Sequence, residues 1–394
     1  MSTEKDIVIV AARRTPMGGF QGSLATVPAP QLAATAIKGL MTDTGIAGEL
    51  VDEVLMGCVL PAGLKQAPAR QATLGAGLSL SVGATTVNKV CGSGMKTVML
   101  AHDLVKAGSA ELVIAGGMES MSQAPYLLDK ARGGMRMGHG KVLDHMFLDG
   151  LEDAYTGGAM GTFAQKTADD FGISREQMDA FALSSLQKAI TAIASGAFNQ
   201  EIVPVSVAAR QGELVIDTDE QPGNARPEKI PTLRPAFAKD GTITAANSSS
   251  ISDGAAALMV TSREKAAELG LDVLAVIRGH TTHAQEPAAF TTAPVGAMNK
   301  LFAKTGWSKD EVDLYEINEA FAMVTMLAIS ELGLDETKVN VHGGACALGH
   351  PIGCSGARIL VTLIHALRNQ GLRRGVASLC IGGGEATAMA IEIE

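Results

Sequence analysis

A layered α/β fold built from two similar halves is what this 394-residue chain predicts, and three features carry that prediction. Short apolar runs that suit buried strands alternate with helical stretches, the pattern of strands and helices stacked in layers. The pattern occurs twice: Ser93-Gly94 opens one apolar helical run and Ser355-Gly356 another, and Gly116-Gly117 has a counterpart in Gly382-Gly383. Between the halves, residues 122–247 break the pattern with basic, Met-rich and Gly-rich stretches. A period this long describes a duplicated domain rather than a solenoid.

Taken in order, Ile7–Ala12 reads as the first strand, halted by Arg13-Arg14, and Gln31–Leu40 as the helix after it. Val51–Leu60 follows as a strand. The run from Met95 to Val105, closed by Lys106-Ala107-Gly108, reads as a buried helix. Glu111–Met121 is a continuous apolar run ended by glycines, which suits a strand covered on both faces. The middle excursion carries a helix over Ser174–Ala194 and a polar loop, Asp217–Pro231, and long excursions on a rigid scaffold usually carry binding. Ile251–Val260 resumes core-like sequence as the last strand of the first half. In the second half Val273–Ile277 is a first strand, Val312–Glu319 echoes Val51-Asp52-Glu53, Ala357–Leu367 is a helix ended by Gly371, and Val376–Ala386 resembles Ala115–Ser120. The expected division is residues 1–121, completed by 248–271, as the N-terminal half, 122–247 as a loop domain, and 272–394 as the C-terminal half.

Composition sets the outer limits. Hydrophobic residues at 46% with charged residues at 19% describe a folded chain, and aromatics at only 4% beside 45 glycines imply a core of Ala, Val, Leu, Ile and Met. The net charge of −9 is spread without long runs, which argues against a nucleic-acid partner but not against an anionic small molecule held by a local Arg or Lys cluster. Five cysteines (Cys58, Cys91, Cys346, Cys354, Cys380), odd in number and without CxxC spacing, indicate neither a disulfide framework nor a metal site, so a reducing compartment fits best. No apolar run approaches the ~18–20 residues of a membrane span. The N-terminal apolar run reads as a strand rather than a signal peptide, so no membrane association is expected and the cytoplasm is the expected location.

The stretch most suited to chemistry is Asn88-Lys89-Val90-Cys91-Gly92-Ser93-Gly94. It sets a cysteine on a glycine-rich turn directly before a helix, where unpaired N–H groups and the positive end of the macrodipole favour the thiolate. Gly92 and Gly94 are expected to clear a path to that sulfur and to leave backbone donors exposed. In the second half His350 lies on a glycine-punctuated turn ahead of a helix, Cys380 ends a buried strand before Gly382-Gly383-Gly384, and Asn318 sits at a strand-to-helix junction. Taken singly, each also fits a helix cap or a packed core residue. The duplication changes this, because it brings the ends of equivalent elements to one place. Two thiols, an imidazole and an amide then converge. A Cys–His pair makes and breaks thioesters or amides through an acyl-enzyme, and a second cysteine serves proton transfer at a carbon next to a carbonyl. The set points to carbon–carbon bond formation or cleavage beside a thioester, and a cysteine hydrolase fits the same residues. Cys58, Cys346 and Cys354 read as core.

Four motifs together, Asn88–Gly94, Asn318-Glu319-Ala320-Phe321, Gly343–Pro351 and Cys380–Gly384, resemble the motif set of the thiolases, in the family's order and over essentially the whole chain. The resemblance implies a five-layered αβαβα fold of two duplicated halves, with a loop domain covering the CoA site. It implies reversible condensation of two acetyl-CoA to acetoacetyl-CoA and CoA through an acyl-Cys91 intermediate. His350 would activate Cys91, Cys380 would move the α-carbon proton, and Asn318 would position a water that forms one oxyanion hole with His350. The N–H groups of Cys91 and Gly382 would form the other. Ser249 would meet the pantetheine arm, Met160 and Phe321 would line the acyl pocket, and Arg226 would meet the nucleotide phosphates. No cofactor or metal is expected beyond CoA as substrate and product, and a homodimer or homotetramer is implied. Two places depart from many short-chain thiolases: Asn247-Ser248-Ser249-Ser250 in place of Asn-Ala-Ser-Gly, and Ala159 in place of a histidine before Met160. A degradative 3-ketoacyl-CoA thiolase of broader chain length is the close alternative, and a non-catalytic acyl-CoA or lipid carrier a more distant one.

Overall fold

The computed structural model describes residues 6–210 and 212–394. Its scaffold strands are β1 (Ile7–Arg14), β2 (Glu53–Gly57), β3 (Gly83–Val87), β4 (Leu112–Ser120), β5 (Ser252–Ser262), β6 (Ala275–Ala284), β7 (Leu314–Ile317), β8 (Arg374–Ile381) and β9 (Glu385–Glu392). The main helices are α1 (Ala29–Thr44), α2 (Pro68–Gly75), α3 (Ser93–Ala107), α4 (Met160–Asp170), α5 (Arg175–Ser195), α6 (Ala293–Thr305), α7 (Ala322–Leu332) and α8 (Ser355–Gln370). The strands lie in the order β7-β8-β9-β6-β1-β5-β4-β2-β3 within one ten-stranded sheet, the tenth being Gly18–Gly19 beside β5. β1 and β6 pair at only two positions, Val8 with Val276 and Ile9 with Ala275, so the sheet divides there into two halves.

Strand β1 shows why an unbroken apolar run becomes a strand here. Its side chains alternate between two buried layers: Ile7 and Ile9 enter the central core, and Val8 and Val10 the outer one. In the outer layer α1 and α2 cover the first half-sheet through Leu32, Ile37 and Ala72. On the opposite side α6 and α7 cover the second through Met298, Leu301 and Ala328. Between the half-sheets α3 and α8 share one core with both inner faces, with Val98 and Ile359 packed among residues such as Val113, Leu258 and Leu379. The result is the five-layered αβαβα fold.

The helices of the central layer touch backbone to backbone. A Cβ added at Gly94 would lie 2.7 Å from the Ala357 nitrogen, and one at Gly356 2.4 Å from the Met95 nitrogen. The first turns of α3 and α8 therefore meet, and the segments that precede them, Cys91 and His350-Pro351, are delivered to the same place. The role expected of Gly94 is corrected accordingly: it permits helix contact rather than a path to the sulfur.

The two glycine pairs matched in sequence differ in local structure. Gly116 and Gly117 lie inside β4, where a Cβ would sit 2.1 Å from the Ala256 oxygen and 2.0 Å from the Gly353 oxygen. By contrast β8 ends at Ile381, and Gly382–Gly384 turn the chain into β9, with Gly383 and Gly384 at φ 90° and 85°. Strands β4 and β5 are antiparallel neighbours as β8 and β9 are. The long excursion therefore occupies the place of a three-residue turn.

Several expected bounds move. Val51–Leu60 yields only β2, because the N–H groups of Val59 and Leu60 turn away to Glu119. Val376–Ala386 divides into β8, a turn and the start of β9. Val273–Ile277 becomes β6, Ala275–Ala284, whose outer part is polar and half-exposed.

Candidate active site

A cavity of about 240 Å³ opens at the meeting of α3 and α8, and its lining includes Cys91, His350, Cys380 and Gly382. Met160, Ser249 and Phe321 complete the set of sequence-predicted residues on its wall, and the remainder is chiefly apolar: Phe147, Leu151, Phe237, Phe290 and Ile352.

Cys91 sits on the turn before α3. Val90, β-branched, takes φ 47°, a backbone conformation that costs such a residue about 1–3 kcal/mol. The turn is held by Ser93, whose Oγ donates to the Val90 oxygen at 2.7 Å and accepts from the Lys89 N–H at 2.8 Å. The N–H groups of Gly382 and Cys91 reach the Cys91 sulfur and favour the thiolate, but burial outweighs them and pushes the thiol up to about 11. This corrects the expectation of a resting thiolate: apolar walls dominate over the helix terminus, and the nucleophile rests as a thiol. Gly92 is corrected too. A Cβ there would meet Ile381 Cδ1 at 2.3 Å, so its bareness serves the packing of α3's first turn on β8. Cys380, at the end of β8, is fully buried; desolvation first and the neighbouring Cys91 second hold its thiol well above the ordinary range.

His350 is buried, and its backbone N–H donates to the Ser250 oxygen at 3.1 Å and to Ser252 Oγ at 3.2 Å. Ser355 Oγ donates to the Pro351 oxygen at 3.0 Å and lies within hydrogen-bond reach of His350 Nδ1. With its hydrogen so directed, the hydroxyl accepts from Nδ1–H, which assigns the imidazole its tautomer. Nε2 is then the unprotonated nitrogen, buried and without a protein partner among the described residues. Desolvation, followed by the field of Arg358, depresses the imidazole to about 3, so it is neutral near pH 7. Asn318 follows β7, with its N–H on the Ser378 oxygen at 3.0 Å. It is not among the residues lining the cavity, and both Oδ1 and Nδ2 are buried without a protein partner among the described residues. Orphaned buried polar atoms of this kind call for a substrate or ordered-water partner.

Ser249 is fixed by its N–H on the Ala320 oxygen at 3.0 Å, beside the bridge between Ser248 and Phe321. Arg226 does not reach this cavity. It lines a neighbouring one of about 310 Å³ with Lys229, Leu233, Ala246, Ser250 and Cys346. The two cavities adjoin along Ser248–Ser250. Cys346 packs against the core as expected and also faces this second cavity, while Cys58 and Cys354 are core.

Residues 7–264 match the family description "Thiolase, N-terminal domain" and residues 271–393 match "Thiolase, C-terminal domain". The chain belongs to the thiolase family. It is 50% identical over 389 residues to the acetyl-CoA acetyltransferase of Pseudomonas aeruginosa, covering 98% of this chain and 99% of that one. The crystal structure of the Bacillus anthracis acetyl-CoA acetyltransferase superposes with a TM-score of 0.97 at 41% identity, covering 100% of both chains. That of the Acat5 thiolase from Ascaris suum in complex with coenzyme A gives 0.94 at 41%, covering 99% of this chain and 100% of that one. Among the described residues of this thiolase no helix is long and apolar enough to cross a membrane.

Sequence reasoning missed Glu119. In this thiolase its buried carboxylate accepts from Val59 N–H at 2.9 Å, Leu60 N–H at 3.1 Å and Gly353 N–H at 2.9 Å, joining the two halves beneath the site. Burial raises it to about 7 against those donors. An acidic residue inside an otherwise apolar strand was the available signal. Ser355, which sets the tautomer, shows in the sequence only as part of the repeat, and the wall formed by the π-helical turn Phe147–Leu151 carries no signal there.

Proposed function

We propose that this thiolase is an acetyl-CoA C-acetyltransferase that interconverts two acetyl-CoA with acetoacetyl-CoA and CoA through acetyl-Cys91. The observation that carries this is the convergence of Cys91, Cys380 and the unprotonated Nε2 of His350 on one apolar cavity. In the thiolytic direction the Cys91 thiol gives its proton to His350 Nε2, and the thiolate adds to the 3-keto carbon. The C2–C3 bond breaks, and its electron pair goes to C2, which takes the proton of the Cys380 thiol; acetyl-CoA leaves. The thiol of incoming CoA then returns a proton to Cys380, its sulfur displaces Cys91 from the acetyl group, and the imidazolium restores the Cys91 thiol. A resting thiol at Cys380 suits this direction, since the group acts first as an acid.

The oxyanion donors in this reading are the N–H groups of Cys91 and Gly382 for one intermediate, and His350 with a water on Asn318 for the other. The pantetheine arm would pass Ser249 between the two cavities and bring the nucleotide phosphates toward Arg226, under a loop domain of 122–247. Met160 and Phe321 would limit the acyl group. A broader 3-ketoacyl-CoA preference is favoured by one observation, Ala159 on the cavity wall, where a small apolar residue leaves room. The cytoplasm, and a homodimer or homotetramer, complete the proposal on the family resemblance. The test is thiolysis of 3-ketoacyl-CoAs of increasing chain length with and without free CoA. Cleavage confined to acetoacetyl-CoA supports the acetyltransferase, equal or faster cleavage of longer chains supports the broader enzyme, and no CoA-dependent cleavage refutes both.

A further inference from the structure

Far from the acyl cavity, the C-terminal part of α3 meets β6 of the other half through two imidazoles and a carboxylate. His102 Nδ1 and Asp103 Oδ1 are 2.9 Å apart, and His280 Nε2 lies 3.1 Å from each. No other group of three His, Cys, Asp or Glu donors among the described residues converges in this way. We propose that His102, Asp103 and His280 form a binding site for one divalent transition-metal ion of the zinc, cobalt or nickel type, which ties α3 to β6 and acts on stability rather than on acyl transfer.

The triangle of donor atoms has the dimensions such an ion needs. An ion at about 2.0–2.1 Å from each donor, the usual Zn–N and Zn–O length, sits about 1 Å above the plane of the three atoms. No donor has to move far to close around it. Two imidazoles and one carboxylate are ligands that suit zinc and its neighbours and leave open positions for water. The imidazole side chains are only 11% and 10% exposed, whereas that of Asp103 is 55% exposed, so the open side faces solvent beside the carboxylate. The rings stand edge to face, 4.8 Å between centroids at 83°, with His102 Nδ1 and His280 Nε2 3.1 Å apart.

Two cations oppose the ion. Lys304 acts on both imidazoles and Lys106 on that of His102, and Lys304 Nζ donates to the His280 oxygen at 3.0 Å. Their field, and the presence of three rather than four protein ligands, makes the site weaker than a closed structural zinc site. Its position decides its role. His102 lies nine residues beyond Ser93, about 13 Å along the axis of α3 from the end that carries Cys91, too far to touch the acyl group. The ligands span the two halves, 178 residues apart in sequence, which is why cysteine and histidine spacing gave no metal signal.

The test is titration of the metal-free protein with Co²⁺ and Zn²⁺, followed by absorption spectroscopy, calorimetry and thermal unfolding, on wild type, Asp103→Asn and His280→Gln. The expected result is one Co²⁺ per chain with visible d–d bands and no sulfur-to-cobalt charge transfer. Affinity should fall at least about tenfold in both variants, as loss of a ligand requires. At a fixed Zn²⁺ concentration the unfolding temperature should rise more in wild type than in either variant, with thiolysis rates equal in all three proteins. Asp103→Asn alters an exposed side chain and keeps the fold, so a failure of His280→Gln to fold does not remove the test. Absence of stoichiometric binding, equal binding in Asp103→Asn, or a charge-transfer band that places the metal on the cavity thiols would each overturn the proposal.

Discussion

Replacing His350 with Asn isolates the activation of Cys91. The Cys91 thiol stands at about 11, four units above neutrality, so about one molecule in 10⁴ carries the thiolate at pH 7 without a base. At 1.36 kcal/mol per unit that is a barrier contribution of about 5 kcal/mol, which Nε2 removes by taking the proton within the complex. Acetyl-enzyme formation in His350→Asn should therefore fall by about 10³–10⁴ at pH 7. The residual rate should also climb about tenfold per pH unit, because hydroxide now sets the thiolate population. In wild type the imidazole, depressed to about 3, is neutral across this range, and the rate should be flat. The assay is single-turnover acetylation by acetyl-CoA with enzyme in excess, from about pH 7 to about pH 10. A loss smaller than tenfold, or a residual rate indifferent to pH, would refute the reasoning.

Other outcomes follow from the same geometry. Cys380→Ser should still form the acetyl-enzyme, more slowly than wild type because the departing CoA thiolate loses its proton donor, yet fail to exchange deuterium into the methyl group of bound acetyl-CoA, measured by NMR. Gly94→Ala sets a Cβ 2.7 Å from the Ala357 nitrogen, and overpacking at that helix contact should cost about 1–3 kcal/mol in denaturant unfolding. Glu119→Ala leaves the N–H groups of Val59, Leu60 and Gly353 without an acceptor, at about 1–3 kcal/mol each, and should unfold several degrees lower by calorimetry. His350 resists protonation when folded, at about 3 against about 6.5 unfolded, so its contribution to stability is complete above about pH 6.5 and is lost as pH falls toward 3. His350→Asn should flatten the acid limb of the stability curve between those values.

The layering was legible because its strands are buried on both faces. Ile7–Ala12 and Glu111–Met121 had to be strands of a covered sheet, and β1 and β4 are. Elements with one wet face were harder to see: β3, Gly83–Val87, is half-exposed throughout, and the polar outer part of β6 hid its length. Cys91, His350 and Cys380 were readable as one site only through the duplication, since nothing local links residues 91, 350 and 380. What sequence could not weigh was competition between effects. A helix terminus and apolar walls act oppositely on the Cys91 thiol, and only the packed cavity shows that burial prevails. Nor could it separate a glycine that opens a path from one that lets two helices touch, because that depends on the partner backbone, as Gly94 shows with Ala357. Glu119 and Ser355 act through neighbours supplied by the other end of the chain or by tautomer choice, which no spacing encodes.

The most direct measurement of the central claim is the site of covalent acetylation. The enzyme is mixed with acetyl-CoA in the absence of free CoA, quenched in acid and mapped by peptide mass spectrometry. One acetyl group on the peptide carrying Cys91, present in Cys380→Ser and absent in Cys91→Ala, is the predicted result. Acetyl on Cys380, or turnover with no acetyl-enzyme at all, would contradict it.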